Sequence, residues 1–118
     1  MSKLAVIILA DTDTHGDLGR VVNALVTVKE AKEADDEIRL IFDGAGANWI
    51  GVLADPAHRT YDLYAAVKDQ ITGVCQYCAR AFGATESVQA AGVPLLDEYQ
   101  QHPGLRSLVH DGFHVLIF

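Results

Sequence analysis

Most of the residue types that announce a function are scarce in this chain. It has 2 cysteines, 1 methionine, 1 tryptophan and 3 prolines in 118 residues. The cysteines lie three apart, and there is no second Cys pair. A zinc site would need further thiolate or His ligands at compatible spacing, so no metal is expected. Cations are also few, 9 Lys and Arg against 16 Asp and Glu. A net charge of −7 argues against a nucleic-acid phosphate backbone as partner. No apolar run approaches the roughly 20 residues that span a bilayer. The opening run Leu4–Leu9 is too short, and lacks the flank, for a cleaved signal. These absences predict a cytoplasmic protein with no membrane partner. No glycine-rich loop has P-loop or dinucleotide spacing, so neither a nucleotide nor a flavin cofactor is expected.

What is present points to one globular domain over residues 1–118, half hydrophobic and about a fifth charged. Leu4–Ala10 is a continuous β-rich run, of the kind that lies mid-sheet with both faces covered. The polar loop Asp11–Asp17 follows. Leu18, Val21, Val22, Leu25 and Val28 then recur at helical spacing as far as Glu33. A second strand, Glu37–Phe42, ends at Asp43-Gly-Ala-Gly46. Short helices are predicted over Ala47–Leu53 and after Thr60, with Thr60 as a cap and Tyr61 and Tyr64 as packing residues. Ile71–Val74 suits a buried strand, and Ala79–Phe82 has helix composition with Gly83 as its stop. A weak helix over Thr85–Ala91 precedes Gly92–Leu96, a short strand at most because Pro94 cannot donate to a ladder. Pro103 is predicted to open a last helix through Val109, before a final strand Phe113–Phe118. Alternating strands and helices imply right-handed crossovers and a mostly parallel sheet of about five strands. The prediction is a three-layer, flavodoxin-like α/β domain.

In such folds the ligand crevice lies beyond the carboxyl ends of the strands. Three loops are expected there: Asp11–Gly16, Asp43–Gly46 and Cys75–Cys78. Cys75 stands where a strand turns into a helix, beside unpaired N–H groups that favour thiolate. Asp11, Asp13 and Asp43 oppose that effect, which places its expected pKa between about 6.5 and 8.5. Cys78, one turn into the helix, is expected to pack more deeply. Asp11, Asp13 and His15 could hold a divalent cation, but capping a helix is the simpler reading. Asp43 and Gly44 allow close backbone approach to a ligand, and Tyr77 is a candidate binding residue. Trp49 is either core or pocket wall. His58, His102, His110 and His114 have no paired spacing and receive no role.

The segment Cys75-Gln-Tyr-Cys78-Ala-Arg-Ala-Phe-Gly83 resembles the DsrE/DsrF-like, YchN-related family of small sulfur-relay proteins. The opening strand and helix and the closing Asp111–Phe118 are also similar. The resemblance implies a parallel α/β fold, a trimeric or hexameric homo-oligomer, and a cysteine that carries sulfur as a persulfide. By position that cysteine is Cys75. The expected function is therefore sulfur handling with a thiol- or persulfide-bearing protein partner, Cys75 as nucleophile and Cys78 as resolving thiol. A non-catalytic small-ligand module and a CxxC dithiol oxidoreductase are the alternatives. An apolar last strand at a sheet edge gives an independent reason to expect an oligomer.

Overall fold

The computed structural model describes residues 1–118. Five strands, β1 (Lys3–Ile8), β2 (Glu37–Phe42), β3 (Ile71–Cys75), β4 (Leu95–Leu96) and β5 (His114–Ile117), form one sheet. All its ladders are parallel. Six helices connect them: α1 (His15–Glu33), α2 (Trp49–Leu53), α3 (Tyr61–Val67), α4 (Gln76–Ala81), α5 (Thr85–Ala90) and α6 (Leu105–His110). The expected α/β class and strand number are those observed. No helix is long and apolar enough to cross a membrane.

The sheet order is β4-β3-β2-β1-β5. The chain steps outward from β1 to β4 and then returns to place β5 on the far side of β1. Right-handed crossovers put connections made in one direction on one face, and the returning connection on the other. Helices α1 to α5 accordingly share a face with a core of 22 buried residues, among them Val6, Ile8, Leu25, Leu40, Phe42 and Leu53. The opposite face has α6 alone, over a cluster of five: Ala5, Ile7, Ile41, Leu108 and Phe113. The predicted cover on both faces is present but very unequal. The period-two alternation of β1 divides its residues between the two cores.

Two element boundaries and one cap differ from the sequence reading. Helix α1 begins at His15, because Thr14 and Asp17 close a capping box. The Thr14 hydroxyl accepts from the Asp17 N–H at 3.0 Å, and the Asp17 carboxylate accepts from the Thr14 N–H at 3.2 Å. Arg20 also bonds Asp17, and this bond, then Thr14, holds the carboxyl below its ordinary range. Thr60 stands at the N-cap of α3, but its side chain makes no capping bond. Pro103 does not open α6, whose N-cap is Gly104. The residues before Pro103 are occupied in a tight turn, described below. Gly83 does end α4, with φ +70.

Candidate functional site

Four segments deliver the site, three from adjacent strand ends and one from the first turn of α4. β2 leads directly into Asp43, whose Oδ1 accepts from the Gly44 N–H at 2.8 Å and starts a 3₁₀ turn over Gly44–Asn48. That turn sits directly on β1. A Cβ on Gly46 would lie 2.1 Å from the Ile8 carbonyl oxygen, so only glycine fits there. β3 ends at Cys75, the N-cap of α4, and its sulfur accepts from the Cys78 N–H at 3.4 Å. Cys78 lies in the first turn of α4, and its thiol donates to Asp43 Oδ1 at 3.4 Å.

The fourth segment follows β4. Tyr99 and His102 exchange both backbone bonds, at 2.9 and 2.8 Å, around Gln100 and Gln101. Both glutamines have positive φ, +47 and +68. Left-handed backbone disfavours side-chain-bearing residues, so this turn is held by its surroundings. It is fastened to α4 by the Tyr77 N–H, which donates to the Gln101 carbonyl at 2.8 Å. The fastening brings His102 Nδ1 to 3.2 Å from Cys75 Sγ. The Tyr77 ring lies against the imidazole at a centroid distance of 4.8 Å.

Asp43, Cys75, Cys78 and His102 thus converge, with ligand atoms all within 4.8 Å of one another. Of the residues singled out in the sequence, Cys75, Cys78, Asp43, Gly44 and Tyr77 come together. Asp11 and His15 do not join them. Asp11 accepts from the Thr12 N–H and the Asn48 amide, and its carbonyl accepts from the Trp49 indole. His15 is exposed in the first turn of α1, beside a separate recess bordered by Trp49 and His58.

His102 is the residue that spacing missed. Strand adjacency was the signal: β4 neighbours β3, so the loop leaving β4 emerges next to the residue that ends β3.

The two cysteines exchange the burial expected of them. Cys75 has no exposed surface, whereas Cys78 is partly exposed. The Tyr99–His102 turn is the cause, because it closes over the end of β3 and leaves the flank of α4 open. Its Gln101 carbonyl lies 3.8 Å from the Cys75 sulfur. Burial pushes the Cys75 thiol up to about 12, against the acidic value expected of a helix start. One hydrogen bond from the Cys78 N–H favours thiolate, and it is outweighed by desolvation and by the neighbouring Asp43 and Cys78.

No family model matches the chain. It is 25% identical over 96 residues to the uncharacterized protein MJ0733 of Methanocaldococcus jannaschii, covering 81% of this chain and 78% of that one. The fold is similar to that of BT1422, a conserved protein of unknown function from Bacteroides thetaiotaomicron. The TM-score is 0.60 at 18% identity, with 97% of this chain and 94% of that one covered. That likeness is one of fold alone.

Proposed function

We propose that this domain handles sulfur through its thiol pair, taking a sulfane sulfur from one thiol partner and passing it to another. The observation that carries the reading is a polar partner against each sulfur: His102 Nδ1 lies 3.2 Å from Cys75 Sγ, and Asp43 Oδ1 accepts from the Cys78 thiol at 3.4 Å. Support also comes from the resemblance of the Cys75–Gly83 segment to the sulfur-relay family.

Because Cys78 is the more exposed thiol, we give it the entry role in place of Cys75, the residue that the family resemblance implies by position. Its thiol gives a proton to Asp43, and the thiolate attacks the outer sulfur of a donor persulfide. The donor S–S bond breaks, and the donor leaves as a thiol after taking up a proton. The sulfur then sits on Cys78 as a persulfide. An acceptor thiolate attacks that outer sulfur, removes it and returns Cys78 to thiolate, with no net redox change. Cys75 provides a second exit. His102 takes its proton, and its thiolate attacks Cys78 Sγ and expels hydrosulfide. The Cys75–Cys78 disulfide that remains is returned to two thiols by an external dithiol.

The test is intact mass spectrometry of the reduced protein after treatment with a low-molecular-weight persulfide. One added sulfur, mapped to Cys78 and absent in Cys78→Ser, is expected. In Cys75→Ser, where the disulfide exit is closed, absence of the added sulfur counts against sulfur carriage.

The expected homo-oligomer is part of the same reading. β5 leaves one edge of the sheet open and bears Leu116 and Ile117, which are 38% and 61% exposed. Light scattering at micromolar concentration should give a mass above that of one chain, and a strict monomer would rule the oligomer out.

A further inference from the structure

We infer that Asp43, Cys75, Cys78 and His102 form a binding site for one zinc-class divalent ion. The donors are two thiolate sulfurs, one imidazole nitrogen and one carboxylate oxygen. The inference does not rest on sulfur transfer.

Geometry is the first argument. Zinc bonds of about 2.0–2.3 Å in a tetrahedron place neighbouring donor atoms about 3.3–3.8 Å apart. Two opposite edges of such a tetrahedron are nearly in place, Cys75 Sγ to His102 Nδ1 at 3.2 Å and Cys78 Sγ to Asp43 Oδ1 at 3.4 Å. All remaining donor separations are within 4.8 Å, so closing the site needs only small side-chain rotations. On the second edge the Cys78 thiol donates to Asp43, and an ion bridging all four donors would displace the protons of both thiols.

Placement is the second argument. The four donors come from the end of β2, the end of β3, the first turn of α4 and the turn after β4, so the folded chain already brings them together. His102 is held by a turn with two left-handed glutamines and a bond to Tyr77. The Cys78 N–H already points at the Cys75 sulfur, and a bond of that kind stabilises a coordinated thiolate.

Chemistry selects the ion. One carboxylate oxygen is too little for calcium or magnesium, which take oxygen ligands. Thiolate with imidazole suits zinc, and four protein donors fill its coordination. While the ion is bound, neither sulfur is free to attack, so metal-loaded and thiol-reactive forms exclude one another.

Cobalt(II) is the probe, added to reduced, chelator-treated full-length protein. The expected result is one equivalent per chain, with tetrahedral ligand-field bands and a charge-transfer intensity matching two thiolates. One equivalent of zinc should then displace the cobalt. Cys75→Ser and Cys78→Ser should each remove half of the charge-transfer intensity. His102→Ala should weaken cobalt binding by more than about tenfold. His102→Phe keeps a ring against Tyr77 but offers no nitrogen, and should do the same with its circular dichroism unchanged. Absence of thiolate charge transfer, octahedral bands, or unchanged affinity in both His102 variants would overturn the site. Persulfide loading of the metal-free protein, measured separately, reports on sulfur transfer whichever way the cobalt result falls.

Discussion

Cys75 and Cys78 are one helical turn apart and live in different surroundings. Cys75 is sealed under the Tyr99–His102 turn, while Cys78 keeps part of its surface in water. Since thiol reactivity needs access as well as thiolate, Cys78 should alkylate several times faster than Cys75 in the native, metal-free chain. Mass-resolved iodoacetamide labelling of the two single Cys→Ser variants tests this, and equal rates would contradict the assigned roles. Much of this site was legible residue by residue. Cys75, Cys78, Asp43, Gly44 and Tyr77 all lie at or near strand ends that the apolar pattern marks. Burial of Cys75 was not legible, because its cover comes from a turn that lies 26 residues later in the chain. The role of His102 was hidden for the same reason. Its partner is set by strand order, and no local spacing encodes that.

The Tyr99–His102 turn is the element on which the site depends. A two-residue turn with positive φ at both central positions normally takes Asn-Gly, and here it is built from Gln100 and Gln101. Replacing them together, Gln100→Asn with Gln101→Gly, should relieve left-handed strain and stabilise the fold by about 1 kcal/mol. The exchange also removes the hydrogen bond from Arg80 to the Gln101 side chain, which is exposed and contributes little. Urea unfolding measures the change, and a fall in the midpoint would mean that the glutamines are not strained. A two-strand hairpin signal would have been visible from Asn-Gly. Gln-Gln before His-Pro carries none, and Pro103 reads locally as a helix start.

Across the whole molecule, alternating strands and helices made the parallel sheet legible, but the unequal covering of its faces could not be read. That inequality follows from the return to β5, which only strand order reveals. It should divide the stability. Leu25, fully buried between α1 and the sheet, should cost about 3–5 kcal/mol when cut to alanine. Leu108, at the rim of the five-residue cluster, should cost about 2 kcal/mol, at the low end of such losses. Equal losses on urea unfolding would show that the thin face contributes as much as the thick one. The same strand order also sets a schedule. During synthesis β2, β3 and β4 can each dock beside the strand just finished, whereas the far edge of β1 waits for β5. At about 5–20 residues per second, the 105 residues between Ile8 and His114 take about 5–20 s to make. For that interval every nascent chain carries an open parallel edge beside uncovered Ala5 and Ile7, the template on which a neighbouring nascent chain can pair. The period of greatest aggregation risk is thus fixed by the order of the strands along the messenger, before the stability of the finished fold has any bearing.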